Sequence, residues 1–221
     1  ARRRAVTRGR GEFYPTDQAG ALPGPSTGTG FFITPDGYLI TNHHVVTGAQ
    51  RIEVRTGKRK LIAHMIKGDL VNDLALLKVE GQFVPLPLGD SRTTRLGEPV
   101  FTIGFPNTTV QGVKPKYSAG RINSRSGMQD DQRQFQIDVP AQPGNSGGAL
   151  INEANGNVLG VITCRLDDLK TFDLTGSLPQ NVNYAVKSDY LVPMLRTVPG
   201  WRAVPSGTRN PFRHWVDAYE K

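Results

Sequence analysis

A serine hydroxyl is a weak nucleophile. It needs a base, an accessible position and donors for the charge that develops on an attacked carbonyl. Ser146 sits in QPGNSGGAL, residues 142–150, between Gly144 and the pair Gly147–Gly148. Glycines permit a tight turn and let backbone N–H groups approach a reacting carbonyl with no side chain between them. The N–H groups of Gly144 and Ser146, on either side of Asn145, are the expected oxyanion donors. A Gly-rich turn alone marks any hairpin, so its partners decide. In TNHHVV the apolar run GYLIT delivers two adjacent histidines, His43 and His44, of which only one can face a given side. A histidine there can be a base, a metal ligand or a packed core residue. Asp73 directly precedes the apolar run LALLKV. A carboxylate at risk of burial needs a partner, and an imidazole N–H is a fitting one.

These groups must be positioned by strands. FFITPDGYLI reads as two β-prone runs around Pro35-Asp36-Gly37, a hairpin signature. RIEVRTGKRKLIAHMIKG repeats the design around Thr56-Gly57-Lys58, with period-2 alternation at Ile52 and Val54. NDLALLKVE is a further run, and LPLGDSRTTRLGEPV is a turn-rich join. A second set follows: EPVFTIGFP, KYSAGRINS, QFQIDVP, GGALINEANGNVLGVITC with its Asn155-Gly156 turn, and NVNYAVK. Two successive sets of short antiparallel strands suggest two barrels with a ligand cleft between them. The expected divisions are a basic extension at 1–25, barrels at 26–92 and 93–200, and a helical segment at 201–221. In the last, Phe212, Trp215, Val216 and Tyr219 fall at i, i+3, i+4 and i+7, with Asn210 as cap and Pro211 at the first helical position. That stripe can pack on a barrel or dock an absent partner.

The composition agrees with a folded, turn-rich β chain. Hydrophobic residues are 37% and charged residues 21%, with 25 Gly and 16 Pro among 221 residues. No apolar run approaches the roughly 18 residues of a membrane helix. The net charge is +8, and Arg2, Arg3, Arg4, Arg8 and Arg10 crowd the start. They read as a solvated tail or as an arm for nucleic acid or anionic lipid; no stacking platform or finger motif accompanies them, and no nucleic-acid partner is expected. With one cysteine, Cys164, no intrachain disulfide forms, which tells against a disulfide-stapled secreted digestive enzyme. Four histidines without ligand spacing suggest no metal, and no cofactor is expected.

From His44 to Asp73 is 29 residues, and from Asp73 to Ser146 is 73. The order His, Asp, Ser matches chymotrypsin and not subtilisin or the α/β-hydrolases. GNSGG nearly fits the hydrolase elbow, but that fold needs a helix after the serine, where GGALINEANG reads as strand and hairpin. The strings STGTGFFITPDGYLITNHHVV, NDLALLKV, EPVFTIGFP, QPGNSGGALINEANGNVLGVI and NVNYAVKSDYL, over about residues 26–195, resemble the HtrA/Deg family of trypsin-like serine peptidases. The resemblance implies an all-β, chymotrypsin-like pair of six-stranded antiparallel barrels, here with a C-terminal helix. It implies ATP-independent cleavage of protein or peptide substrates, quality control or processing, and a bacterial periplasm, cell envelope or secreted location; no leader is visible in the chain. The family's TNxHV pattern selects His44 over His43 as base, with Asp73 as acid, Ser146 as nucleophile and an oxyanion loop of Gly144, Asn145 and Ser146. Family members often carry a PDZ domain; the 31 residues after Tyr190 leave no room for one in this chain. Many trimerise through N-terminal aromatics, for which Phe13 and Tyr14 could serve.

The same resemblance places a substrate pocket among Ala141, Gln142, Ile162, Thr163, Cys164, Val182, Asn183 and Tyr184. No carboxylate stands there except Asp138, eight residues before Ser146, so an aliphatic preference is expected rather than Lys or Arg. Pro143 should stiffen the oxyanion loop. Asn145 stands where digestive trypsin-like enzymes carry the Asp that receives a freed amino terminus, so control by ordering of the loop at Gly144 is expected instead. The rival readings are a protease-fold binding or chaperone-like module that does not cut, and a nucleic-acid binder resting on charge alone.

Overall fold

Alternating and continuous apolar runs become different kinds of strand. The computed structural model describes residues 26–164 and 181–202. In the first half, β1 (Phe31–Phe32), β2 (Tyr38–Asn42), β3 (Ile52–Thr56), β4 (Arg59–Asp69) and β5 (Leu74–Val79) form an antiparallel sheet in the order β1-β2-β5-β4-β3. In the second, β6 (Pro99–Gly104), β7 (Lys116–Ser124), β8 (Gln134–Ile137), β9 (Ala149–Asn152), β10 (Val158–Thr163) and β11 (Asn183–Lys187) close a barrel in the order β10-β11-β8-β7-β6-β9. The three expected hairpins join β1 to β2, β3 to β4 and β9 to β10. α-Helix among the described residues is limited to single turns: α1 (His43–Val46), α2 (Thr108–Gln111) and α3 (Val192–Leu195).

The first half has five strands rather than the six expected. Phe83–Gly89 runs where a sixth strand would close it. Pro85 and Pro87 lack the N–H a ladder needs, so the segment bonds only at points. Phe83 N–H donates to Pro35 O at 2.8 Å and Leu86 N–H to Phe32 O at 2.8 Å. The segment then crosses to the second barrel, where Val158 N–H reaches Pro87 O and Gly89 N–H reaches Val158 O. The basic arm, Phe13 and Tyr14, and the expected C-terminal helix lie outside the described residues.

Three apolar clusters hold this together. Leu39, Ala63, Ala75, Leu77 and Val79 form one cluster within the first sheet. Val100, Ile122, Phe135, Ile137, Leu150, Leu159 and Ile162 fill the closed barrel. The third cluster lies on the seam, where Ile40, Leu74 and Leu76 meet Phe101, Ile151, Val158 and Val161. β5 therefore buries both of its faces, which is why LALLKV is a continuous apolar run and not an alternating one. The strand that follows Asp73 is thereby locked between two cores.

Leu76 is fully buried on the seam. Leu76→Ala should cost about 2–5 kcal/mol of stability through lost contacts and a residual cavity. Urea denaturation measures it, and a loss well under that range would mean the seam collapses freely around the hole.

Candidate active site

The turn before β5 places Asp73 with 4% exposure and a left-handed φ of 54°. Aspartate tolerates this region better than most residues, but the conformation still needs outside support. Its carbonyl accepts His43 N–H at 3.1 Å and Asn42 Nδ2 at 2.9 Å. Its carboxylate accepts the His44 backbone N–H at 3.0 Å, His44 Nδ1 at 2.7 Å and the Thr163 hydroxyl at 3.3 Å. An ionised carboxylate can only accept, so Nδ1 carries the proton and Nε2 is left as the basic nitrogen. His43 points elsewhere: its Nδ1 pairs with Thr47 Oγ1 at 2.9 Å and its ring lies against Gly68. The one-turn helix α1 separates the two neighbours, which the sequence could not do by itself.

Ser146 stands on the second barrel. Its hydroxyl accepts Cys164 N–H at 3.2 Å and reaches Cys164 O at 3.4 Å. Among the hydrogen bonds of the described residues, none joins it to His44. The turn around it is tightly accounted for. Asn145 N–H donates to Gln142 O, Gly147 N–H to Ile162 O and Gly148 N–H to Asn145 O, at 2.8, 2.9 and 2.9 Å. In the run 144–148 this leaves the N–H groups of Gly144 and Ser146 without an acceptor among the described residues. Asn145, grouped with them on sequence grounds, spends its N–H inside the turn and leaves the donor set.

Neighbouring carbonyls explain the two open donors. Asn107 N–H holds Pro143 O at 2.8 Å, so the trans peptide sends Gly144 N–H the opposite way. Gly148 N–H holds Asn145 O at 2.9 Å and turns Ser146 N–H in the same way, while Thr29 braces the turn on both flanks, with Oγ1 donating to Gly144 O at 2.6 Å and N–H to Ser146 O at 2.8 Å. Gly144 has a φ of 102°, and a β-carbon there would strike Phe105 O. No residue but glycine fits that conformation and that gap.

The trypsin-like peptidase domain family matches residues 28–161. The chain belongs to that family. It is 40% identical over 152 residues to a protein of Hahella chejuensis named "Probable periplasmic serine endoprotease DegP-like", covering 66% of this chain and 31% of the relative. It is 44% identical over 174 residues to the uncharacterized protein y4bJ of Sinorhizobium fredii, covering 77% of this chain and 27% of that one. The solved structure of the HtrA-type protease AlgW with a decapeptide aligns at a TM-score of 0.64 and 30% identity, over 77% of this chain and 50% of that one. The chain thus spans under a third of the length of these curated relatives. The domain is of the HtrA type within the trypsin-like family.

The eight residues expected to line a pocket separate by strand parity in this trypsin-like domain. Ile162 is fully buried in the barrel core, and Thr163 turns to Asp73. Tyr184 lies opposite Thr163, on the same outward face, where burial raises its hydroxyl above the usual range. Ala141 and Cys164 are partly buried against the barrel core, and Asn183 Nδ2 holds Val139 O at 2.9 Å. Gln142 is exposed and Val182 half-buried; Gln142 Oε1 accepts Gln111 Nε2 of α2 at 2.6 Å. Asp138 accepts Arg121 N–H at 2.5 Å, so it serves β7.

Sequence reasoning missed Asn42 and Thr29 as positioning groups. Asn42 stands in TNHHVV, and its tie to Asp73 spans 31 residues. Thr29 lies in STGTG, and its tie to Gly144 spans 115 residues, beyond any local pattern. Thr29→Val keeps the volume and strips the hydroxyl. It leaves Gly144 O without its partner, as well as Phe105 N–H, which Thr29 Oγ1 accepts at 3.2 Å. The expected cost is about 1–3 kcal/mol. An unaltered chemical denaturation midpoint would show that the turn does not lean on Thr29.

Proposed function

We propose that this domain is a serine endopeptidase that hydrolyses protein and peptide bonds through an acyl-enzyme on Ser146, without ATP. One observation carries the reading: a base with its proton fixed on Nδ1 by buried Asp73 stands in the same fold as a serine flanked by two uncommitted N–H donors. Rotation of the Ser146 side chain from Cys164 toward His44 brings nucleophile and base together. Such bonds are often long before substrate binds and shorten in the reactive complex. His44 then takes the Oγ proton as the carbonyl is attacked and later gives it to the leaving amine. Asp73 keeps the tautomer and offsets the imidazolium charge, and the N–H groups of Gly144 and Ser146 receive the oxyanion.

Relatives named as periplasmic endoproteases support a periplasmic or secreted location; quality control or processing of proteins is the task that goes with this reading. The described residues contain no helix long and apolar enough to cross a membrane. Readiness would be set at the Pro143–Gly144 peptide, through Asn107 and the Gln111–Gln142 contact of α2, rather than by a freed amino terminus. Asn145 carries no charge to receive one. The second reading, a binding module that does not cut, is favoured by the hydroxyl's bond to Cys164 instead of His44.

A fluorophosphonate label separates the two readings, since only a working Ser–His pair reacts quickly. Ser146→Ala should lower kcat by about 10⁶-fold and leave the melting temperature in place. His44→Ala should do nearly the same. His43→Ala, which loses only the contacts to Thr47 and Gly68, should keep most activity. Equal loss from both histidines would reopen the choice of base.

Cleavage should follow Val, Ala or Leu. Ala141, Cys164 and Asn183 offer no carboxylate, and a buried cation without a partner is costly. Selectivity should be modest, because one methylene is worth about 1–3 kcal/mol in an apolar pocket. A peptide-library profile dominated by Lys or Arg before the cut would sink this pocket assignment.

A further inference from the structure

Asp73 belongs to the first sheet, yet the loop that carries it is tied to the second barrel. Asp69 and Asn72 shape the loop from within. The Asp69 carboxylate accepts Asn72 N–H at 3.0 Å and Asn72 Nδ2 at 2.6 Å. Burial alone would raise that carboxyl; the Asn72 donors outweigh it and hold it below the usual range. At the far end, the Asp73 carbonyl is held by His43 and Asn42. Between these two anchors lies Val71, whose side chain is 72% exposed and packs on little. Its carbonyl accepts Arg133 Nη1 at 2.9 Å, from a residue 62 positions later at the start of β8.

The guanidinium that makes this bond is itself fixed. Arg133 Nε and Nη2 fork onto the Asp131 carboxylate at 2.9 and 2.7 Å. The Arg133 hydrogen bond holds the Asp131 carboxyl below its ordinary range. The backbone behind the pair is clamped by Lys187, whose ammonium donates to Gln132 O at 2.6 Å and whose N–H donates to Arg133 O at 2.9 Å. One planar group thus uses three separate N–H positions, two on Asp131 and one across the seam. Lysine is a point charge and cannot serve both ends.

We propose that Arg133, oriented by Asp131, is a positioning residue for Asp73: it fixes the Val71 carbonyl and so holds the Asp73 turn in register with the second barrel. The inference rests on the peptidase reading for its kinetic consequence, though not for its structural one. The left-handed turn at Asp73 needs outside support. Ser146 rides on the barrel from which Arg133 reaches. The bond therefore links the acid's loop to the nucleophile's own scaffold. Loss of the anchor should leave the substrate contacts alone and misplace the base by a fraction of an ångström, a change that acts on kcat.

The test uses the full chain with Arg133→Met and Arg133→Lys. In Arg133→Met, kcat on a peptide substrate should fall by about 10- to 100-fold while KM holds. Arg133→Lys should recover little of it, and Asp131→Asn should show part of the same loss. In an Asp73→Asn background, Arg133→Met should change the fluorophosphonate labelling rate by less than about twofold, because its route of action is already cut. A loss that multiplies undiminished in that background, or an unchanged kcat in folded Arg133→Met, overturns the proposal. A readout free of catalysis is the His44 Nδ1 proton, which its bond to Asp73 shields from exchange and makes visible by NMR. Its signal should broaden or vanish in Arg133→Met. If the unmodified chain neither labels nor cleaves, the peptidase reading fails, while loss of that proton in Arg133→Met still upholds the positioning role. An unchanged proton signal in the folded variant overturns it.

Discussion

A carboxylate with 4% exposure cannot stay ionised without donors around it. Asp73 is surrounded by them: the His44 N–H, the His44 imidazole and the Thr163 hydroxyl on its side chain, with Asn42 and His43 on its carbonyl. Four of these five donors come from the end of β2 and the start of α1, and one from the end of β10. The fold around the site follows from bringing those segments to one point. Asn42 stands at the N-terminal cap position of the single-turn α1 yet directs its side chain to Asp73 rather than capping the helix. β5 is buried on both faces because it must run from that point straight through the seam.

The turn around Ser146 obeys a second constraint, which is to orient peptides rather than to bury charge. Every carbonyl from Pro143 to Asn145 is claimed, by Asn107, Thr29 and Gly148 in turn. In a trans peptide, fixing the carbonyl fixes the direction of the next N–H. The two donors left open are therefore a consequence of what holds their neighbours. Thr29 is the economical device here. It sits just before β1, accepts the Thr41 hydroxyl on its carbonyl, and reaches both sides of Ser146. The loops of the first sheet carry Asp73 and His44, and the segment before it also braces the serine.

Much of this was legible in the chain. Turn residues at Gly37, Gly57 and Gly156 marked the hairpins because local backbone requirements dictate them. The triad candidates were legible because their residue types and order are unusual together. What stayed hidden depends on non-local geometry. Pro85 and Pro87 could be read as turn residues, but not as the reason the first half lacks a ladder for a sixth strand. The pocket set was split by strand parity: Ile162 and Thr163 are adjacent in sequence and face opposite ways, so one belongs to the core and the other to Asp73. His43 and His44 could be told apart only by family pattern, since their own side chains are identical and only the path of α1 separates them.

The end of β10 is where the two constraints meet. Thr163 touches the Asp73 carboxylate, and the next residue's backbone holds the Ser146 hydroxyl. The end of one strand thus touches both Asp73 and Ser146. A rotation of the Ser146 side chain between staggered wells would release Oγ from both contacts, a small rearrangement beside the effort of building either half of the site. The shorter hydrogen bonds of this region gather at Asp73 and along the turn around Ser146. The longer pair of contacts, at 3.2 and 3.4 Å, lies at the Ser146 hydroxyl.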